Sequence, residues 1–363
     1  MGASTKVPPA FVIKAVGALR GLLLRTADRL LPAPLAAAEL GHQFTQAHIL
    51  ATLAELGVAD ALGDSTMRAE ELAPLIGCDP DALHRLLRAA ATFGAVRMRR
   101  DGTVRATRIT RTVRSDDPHA VGAWCSFLAS PAHQQAWADL ATSVRTGEPA
   151  FRRVHGRTVF EHFAAHPNEG QHFNEGLAGL TLADVPFVLS ALDLPDSGVV
   201  CDVAGGRGVL LAELLQARPG LRGVLVEAPE VLTEAAAYLE GRGLLDRVQL
   251  VPGDLFGSWD VTADLYLLKW ILHDWDDATC SRLLKGVAAT MPAGATLAVI
   301  EGIQEPNVVD PRFSMIDLQM LVVSDGGRER NAADLRGLLA GADLAPRSTR
   351  ITATGTAVLT AVA

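Results

Sequence analysis

The stretch from Val199 to Gly208, which reads VVCDVAGGRG, decides the fold of this chain. An apolar run leads into a glycine turn, and the residues after the turn have the apolar spacing of a helix. Strand, glycine turn and helix in this order are typical of a nucleotide-type binding fold. The turn alone is weak evidence, because it lacks the full dinucleotide spacing and the lysine of a phosphate-binding loop.

Four more apolar runs follow, separated by segments with helical spacing. They cover residues 223–227, 248–251, 265–270 and 295–301. This alternation predicts a parallel sheet with helices on both faces. The last apolar runs, 350–353 and 357–363, predict a closing hairpin around Gly355. Because ligands of such sheets bind outside the carboxyl ends of the strands, we expect a single cleft at that edge.

Charged side chains stand at the carboxyl ends of the predicted strands: Asp202, Glu227, Asp254, Lys269 and Glu301. Glu227 can hydrogen-bond a ribose diol, Asp254 can accept from an adenine amino group, and Trp275 offers a face on which adenine can stack. Each residue alone could equally be a turn cap or a surface acid. Together they predict a site for S-adenosylmethionine.

The segment LLKWILHDW, residues 267–275, places His273 just past an apolar strand, where cofactor and substrate would meet. An ordinary histidine pKa of about 6.5 suits proton removal near neutral pH, so His273 is a candidate general base. A phenol with a pKa of about 10 could lose its proton to the neutral imidazole. Either Glu329 or Glu301 would stabilise the imidazolium, and the sequence does not decide between them. We expect no metal, since the sequence has no cluster of Asp and Asn ligands.

Composition excludes several classes of protein without selecting one. The chain has 363 residues, 49% hydrophobic residues and a formal charge of −8, as expected for a globular protein of two domains. A net acidic surface argues against broad nucleic-acid affinity. Its four cysteines have neither zinc-ligand nor redox spacing, which favours buried reduced thiols in a cytoplasmic protein. Every apolar stretch is too short or too charged to cross a membrane.

The segment before the sheet divides into an extension, 1–40, a domain at 41–113 and a helical, aromatic-rich connection at 114–190. Between Gly41 and Thr107 the spacing predicts helices at 44–62, 67–76 and 79–93, then a hairpin at Asp101-Gly102. This order predicts a winged helix. DNA binding is disfavoured, because Asp79 and Asp81 at the start of the second helix of the pair would repel phosphates. Dimerisation or substrate lining is preferred. The extension contains a basic amphipathic helix, 11–31, which we expect to pack on this chain or on a partner subunit; a membrane surface is the alternative.

These motifs together resemble the S-adenosylmethionine-dependent O-methyltransferases of the plant caffeate type and their bacterial secondary-metabolism relatives, including the mitomycin O-methyltransferase group. The resemblance extends from about Gly41 to the C-terminus. It rests on the glycine turn and the segment 268–275, together with GDL at 253–255, GGRER at 326–330, FE at 160–161 and FNEG at 173–176.

The resemblance implies a Rossmann-like class I methyltransferase domain at 191–363, a winged-helix dimerisation domain, and a homodimer whose subunits help to close each other's sites. It places Ala204, Gly205 and Gly206 around the methionine part of the cofactor, Glu227 at the ribose, Asp254 and Leu255 at the adenine, and Lys269 at a further cofactor contact. Asp202 is expected to border the same cofactor. His273 looks like the base, flanked by Glu301 and Glu329. The residues implied to line the acceptor pocket are Phe160, Leu177, Met320 and Ser324.

Two departures from the family pattern matter. Ala204 replaces the first glycine of the usual triple-glycine turn, which is tolerable if its φ stays below zero. The Met-Asn pair with which plant members grip a phenolic substrate aligns with Phe127-Leu128, so an apolar aromatic or polyketide-type acceptor is expected.

The predicted activity is therefore transfer of a methyl group from S-adenosylmethionine to a hydroxyl of an aromatic small molecule, with S-adenosylhomocysteine as the product. Two alternatives remain close to this one. They are N-methylation and a non-methylating relative that hydroxylates or decarboxylates. A winged-helix regulator is the least favoured.

Overall fold

The computed structural model describes residues 10–257 and 259–363. The chain forms two compact units that alternate along the sequence. The helical unit holds residues 17–135 and 162–183, and the sheet unit holds the other described residues. The predicted connection, 114–190, contributes to both units, and its boundaries remain predictions.

The first part of the chain is mostly helical. Its elements are α1 (Ala10–Arg29), α2 (Ala33–His42), α3 (Phe44–Glu55), α4 (Val58–Leu62), β1 (Thr66–Met67), α5 (Ala69–Ile76), α6 (Pro80–Thr92), β2 (Val96–Met98), β3 (Val104–Ala106), α7 (Arg108–Thr112), α8 (Val121–Ala129), α9 (Pro131–Ala138), α10 (Leu140–Thr146), α11 (Ala150–His155), α12 (Val159–Ala165) and α13 (Pro167–Ala191).

The second part alternates strand and helix, as the sequence predicts. Its elements are β4 (Ser197–Val203), α14 (Val209–Ala217), β5 (Gly220–Glu227), α15 (Pro229–Gly241), β6 (Val248–Pro252), β7 (Leu265–Lys269), α16 (Asp277–Thr290), β8 (Thr296–Gly302), α17 (Phe313–Val323), α18 (Ala332–Ala340), β9 (Ala345–Ile351) and β10 (Thr356–Val362), with short 3-10 helices at Leu245–Arg247 and Leu272–Asp274.

The large sheet has the strand order β6-β5-β4-β7-β8-β10-β9. The pairs β4–β5, β5–β6, β4–β7 and β7–β8 are parallel, and β10 runs antiparallel to both β8 and β9. The predicted α/β class and closing hairpin are confirmed. Strand order reverses at β4, so the cleft beyond the carboxyl ends of β4 and β7 lies at a topological switch point.

Continuous apolar strands explain why both faces of this sheet are covered. Along β7, Tyr266 and Leu268 pack into the core on one face, while Leu265 and Leu267 pack into the core on the other. Successive side chains of a strand point to opposite faces of the sheet. When both faces are buried, every position along the strand is apolar except at its end. Polar side chains are therefore concentrated at the strand ends.

The helical unit contains a small antiparallel sheet of order β1-β3-β2. Its hairpin, β2–β3, forms around the predicted Asp101-Gly102 turn. Two predicted helices differ. The helix predicted at 44–62 is interrupted at Gly57, whose φ of +65° begins α4, and Thr66 and Met67 pair with β3 instead of opening a helix. Gly57 adopts a conformation that glycine permits locally, whereas long-range strand pairing decides the conformation of Thr66 and Met67. Asp79 caps α6 by accepting from Ala82 N at 2.8 Å.

Helix α1 coincides with the predicted amphipathic helix. Large apolar side chains along it, including Leu19 and Leu23, are more than half exposed in the single chain. These side chains are therefore uncovered in the single chain, and the surface on which the helix packs remains a prediction. Among the described residues, we find no helix with the length and apolar character needed to span a bilayer.

Candidate active site

The glycine turn after β4 forms the floor of the cleft. Ala204 has a φ of +53° and Gly206 a φ of +56°, so the condition under which alanine would fit without strain, a φ below zero, is not met. The turn must reverse direction within three residues while Ala204 N donates to Val226 O at 2.8 Å. A Cβ on Gly205 would collide with the Asp202 carboxyl and would lie 2.8 Å from Leu225 Cδ1. Gly205 is thus required by close contact, whereas Ala204 tolerates backbone strain.

Asp202 is the second-last residue of β4 and is almost completely buried, at 1% exposure. Its Oδ2 has no hydrogen-bond partner among the described residues. Burial, and then the charge of Glu227, raise the pKa of Asp202 to about 7, while Lys269 acts in the opposite direction. A buried carboxyl oxygen without a partner favours a ligand that brings a hydrogen-bond donor or a positive charge. The sulfonium and ammonium groups of S-adenosylmethionine meet that requirement.

Glu227 ends β5 and faces the glycine turn. Its Oε2 accepts from Gly206 N and its Oε1 accepts from Ala228 N, each at 2.8 Å. Burial raises the pKa of Glu227, and the two backbone donors oppose this. Each carboxylate oxygen has a further lone pair, so the side chain can still accept from a diol. The backbone bonds fix the orientation that this contact needs.

Two other predicted cofactor residues follow β6. Asp254 is exposed, and its Oδ1 accepts from Phe256 N at 2.8 Å, which closes a tight turn. The next residue, Leu255, is partly buried against the core of the sheet. Asp254 is therefore held in place by its own backbone turn and keeps its other oxygen available to a ligand.

Lys269 ends β7, and burial lowers its pKa to about 8 against the opposing charges of Asp184, Glu301 and Asp202. Its Nζ lies 3.5 Å from the centroid of the Trp270 ring. Trp270 itself has a φ of +55°, an uncommon conformation for a bulky residue. The strain occurs where the chain leaves β7 and turns toward His273.

His273 lies on the 3-10 helix that follows β7. Its Nδ1 is 2.7 Å from Glu329 Oε1. Its Nε2 is 3.8 Å from Asp274 Oδ1, which is too long for a hydrogen bond. Glu329 is positioned in turn by its backbone N, which donates to Asp317 Oδ1 at 2.9 Å. Nδ1 is thus paired with the Glu329 carboxylate, whereas Nε2 has no hydrogen bond to Asp274.

Glu301 has a different role from Glu329. Its Oε1 accepts from Ile271 N at 3.0 Å and from Leu272 N at 2.8 Å. These two bonds fasten the 3-10 helix that carries His273. Glu329 contacts the imidazole directly and Glu301 holds its backbone, a distinction that the sequence left open.

Three carboxyl groups surround the imidazole. Burial lowers the pKa of His273, but the charges of Asp274, Glu301 and Glu329 outweigh it and raise the pKa to about 10. Burial also raises the pKa of Glu301 to about 7. The expectation of an ordinary histidine pKa is therefore wrong, because the sequence does not show which carboxylates reach the ring.

The same cluster contains possible metal ligands. Donor atoms of His273, Glu301 and Glu329 lie within 4.8 Å of one another, and Oε2 of each glutamate is buried without a hydrogen-bond partner among the described residues. The expected absence of a metal thus remains a prediction that needs a chelation experiment.

Aromatic side chains border this part of the cleft. Phe160 lies roughly parallel to Trp275, with ring centroids 6.1 Å apart, and Phe256 meets Trp275 edge-on at 5.0 Å. Phe160 and Phe256 are each about two-fifths exposed, at 41% and 43%. Phe160, predicted to contact the acceptor, and Trp275, predicted to stack on adenine, thus belong to one aromatic surface. Sequence reasoning missed Phe256, although it directly follows the GDL motif.

The other predicted acceptor residues divide between the units. Ser324, buried at the end of α17, donates from Oγ to Met320 Sδ at 3.4 Å and lies 3.5 Å from Asp274 Oδ1. Phe127 is buried in the helical unit, among the rings of Trp124, His133, Phe163 and Phe173. Leu177, on α13, is partly buried in the same unit. Their roles remain predictions. Asp274 was missed as a site residue, although it adjoins His273 in the sequence.

Comparison with known proteins identifies the family. Residues 137–345 match the O-methyltransferase domain and residues 38–116 match the O-methyltransferase dimerisation domain. Mitomycin biosynthesis 6-O-methyltransferase of Streptomyces lavendulae is 36% identical over 290 residues, which cover 78% of this chain and 81% of that protein. The 8-amino-8-demethylriboflavin N,N-dimethyltransferase of Streptomyces davaonensis (strain DSM 101723 / JCM 4913 / KCC S-0913 / 768) is 33% identical over 79% of this chain and 83% of its own length.

Solved structures agree. The crystal structure of LaPhzM superposes with a TM-score of 0.86 at 30% identity, over 92% of this chain and 99% of that chain. Two other solved relatives, 30% and 28% identical, hold S-adenosylhomocysteine and S-adenosylmethionine. The chain therefore belongs to the O-methyltransferase family. It is an S-adenosylmethionine-dependent O-methyltransferase.

Proposed function

We propose that this enzyme methylates a phenolic hydroxyl of an aromatic, polyketide-type small molecule, with His273 as the general base. The observation that carries the proposal is the arrangement of the imidazole, whose Nδ1 is paired with Glu329 while Nε2 has no hydrogen bond to Asp274. A base needs one nitrogen fixed by a partner and the other available to the substrate.

The cofactor supplies an already activated sulfonium methyl group. The protein must hold this group in line with the acceptor oxygen, at about 3 Å. We assign the binding of the methionine part to the turn 204–206 and Asp202, the ribose to Glu227, and the adenine to Asp254 and Leu255. Lys269 is a further contact. The buried Oδ2 of Asp202, which has no hydrogen-bond partner among the described residues, supports these assignments.

The charges around His273 set the proton transfer. Because three carboxyl groups raise the pKa of His273 to about 10, the imidazole approaches the basicity of a phenolate, whose conjugate acid has a pKa of about 10. Transfer of the phenol proton to Nε2 is then close to balanced in free energy. Glu329 stabilises the imidazolium that forms, and Glu301 keeps the ring in position.

Relatives and the aromatic surface together support an aromatic acceptor. Related enzymes are named for mitomycin and phenazine methylation, and Phe160, Trp275 and Phe256 offer ring faces of matching chemistry. A panel of naphthoates, quinolones, phenazines and aromatic polyketides, incubated with methyl-labelled cofactor, tests the substrate class. If no phenolic compound of the panel received the labelled methyl group, the proposal would be contradicted.

N-methylation is the second candidate, favoured by the relatedness of an N,N-dimethyltransferase. A neutral aromatic amine attacks through its lone pair and needs little help from a base before attack. Matched phenol and aniline acceptors on one ring system therefore separate the two functions. We expect the phenol to be methylated faster by wild type, and the advantage to disappear in His273→Ala. Chelation by EDTA should leave the rate unchanged if no metal takes part.

A further inference from the structure

The small sheet of the helical unit has a face made of arginines. Along β2 and β3, Val96 and Val104 point into the core, so the alternate residues point outward. Arg97 on β2 stands directly opposite Arg105 on β3, and Arg99 follows on the same side. All three arginines are exposed.

Two further exposed arginines, Arg100 and Arg108, stand next to these three in the sequence. We call Arg97, Arg99 and Arg105 the arginine face; Arg100 and Arg108 adjoin it only in the sequence. In the described part of the chain, no carboxylate oxygen lies within 4.0 Å of any of the five guanidinium groups. Asp101 lies in the turn between β2 and β3. Its Oδ1 accepts hydrogen bonds from Thr103 N at 3.0 Å and from Thr103 Oγ1 at 2.7 Å. Those bonds, with smaller effects of Arg68 and Arg99, lower the pKa of Asp101.

Such a face is unfavourable for the isolated protein. Like charges directly opposite each other across an antiparallel pair are destabilising, and Arg97 and Arg105 form such a pair. The chain as a whole is acidic, with 41 acidic against 33 basic residues, yet none of the described carboxylates forms an ion pair with these arginines. An anionic partner would relieve the repulsion.

We propose that the arginine face docks a carboxylate-rich helix of another protein. Guanidinium groups bind carboxylates in a two-pronged geometry, so exposed arginines are suited to a carboxylate-bearing partner. Arginines across the strand pair are about 5 Å apart and those along a strand about 7 Å apart. Carboxylates on successive turns of a helix face are about 5–6 Å apart, so the two arrays match.

Two other occupants fit less well. A two-fold interface through this face would set arginine against arginine, so a second copy of the chain is excluded as a face-to-face partner. A nucleic acid fits less well, because the chain carries a formal charge of −8 and Asp79 and Asp81 are exposed at the start of α6 in the same unit.

The test uses the full-length protein and a labelled alanine-based helical peptide with glutamates three and four residues apart on one face. The control peptide has the same composition with glutamates spread around the helix. Fluorescence anisotropy should show tighter binding of the one-faced peptide, weakening as salt rises. Arg97→Glu/Arg105→Glu should lose affinity by about tenfold or more, and Arg97→Gln/Arg105→Gln by less.

The matched control is Arg145→Glu/Arg347→Glu, which makes the same change of charge at exposed arginines of the sheet unit. It should bind the peptide as wild type does, and both charge-reversed variants should keep their turnover on a free acceptor. Equal losses in the two variants, absence of binding by wild type, or tighter binding of a random-sequence DNA duplex than of the peptide would each overturn the proposal.

Discussion

At the scale of single residues, His273 shows how neighbours define a function. Its Nδ1 is fixed by Glu329 at 2.7 Å, and its backbone is fixed by Glu301. If it is the base, His273→Ala should lower kcat by about 10²–10⁴-fold, the range expected for a positioned base. Cofactor affinity should hardly change. Steady-state kinetics and calorimetry measure the two effects. Acceptors with acidic phenols should be affected least, and near-normal turnover of a weakly acidic phenol would reduce His273 to a structural residue.

The pH dependence follows from the raised pKa of His273. Only the neutral imidazole accepts a proton, so the rate should rise with pH through a value above the ordinary 6.5 or so. Glu329→Gln removes one of the stabilising charges and should move this rise to lower pH, with a smaller loss of kcat than His273→Ala. Rate profiles that extend past the pKa of about 10 given for His273 measure the shift. The control is Glu305→Gln, which changes an exposed side chain outside the cluster. If its rate profile moved to lower pH as far as that of Glu329→Gln, the charge of Glu329 would not explain the shift.

Cofactor binding is also decided by single side chains. Glu227→Ala removes the proposed ribose contact and should weaken binding of S-adenosylmethionine by about 1–3 kcal/mol, the cost of losing hydrogen bonds to a charged group. Calorimetry compares it with Glu230→Ala, an exposed acid in the first turn of α15. If Glu227→Ala bound S-adenosylmethionine as tightly as wild type does, the assignment of Glu227 to the ribose would be wrong.

At the scale of elements, the turn between β4 and α14 combines a strained residue with a required glycine. Ala204→Gly relieves a positive φ and should stabilise the protein by about 1 kcal/mol. Ala237→Gly, in the exposed middle of α15, should have the opposite effect by a similar amount. Thermal unfolding measures both. Destabilisation by Ala204→Gly would mean that the alanine methyl group contributes packing that outweighs the strain.

At the scale of the whole molecule, we propose that the chain is a homodimer formed through the helices before Ser115. The dimerisation domain at 38–116 supports this, and so do the exposed apolar side chains of α1. Leu19→Glu/Leu23→Glu places two charges one turn apart on the same helix face and should shift the protein toward monomer. Light scattering at micromolar concentration measures the mass. Ile351→Glu, at an exposed apolar position in the sheet unit, should leave it unchanged, and a monomeric wild type would end the proposal.

Local patterns in the sequence were enough to predict the sheet and the edge at which the site lies. The apolar runs that end in Asp202, Glu227, Lys269 and Glu301 are local patterns, and a strand buried on both faces must place its polar residues at its end. The helix boundaries near Gly57 and Met67 were wrong for two reasons. Gly57 adopts a left-handed conformation that glycine permits, and Met67 pairs with β3 against its local helical propensity.

The sequence by itself therefore determined the fold class, the family motifs and the residues that gather at one edge of the sheet. Only the tertiary structure decided how those residues act on one another. His273 and Glu329 are 56 positions apart, and no local pattern states that they touch or that three carboxyl groups raise one pKa. The positive φ of Ala204 goes with a hydrogen bond from its backbone N to Val226 O on β5, and the register that pairs Arg97 with Arg105 exists only in the folded hairpin. Periodicity is encoded locally, whereas distance and charge coupling exist only once the chain has folded.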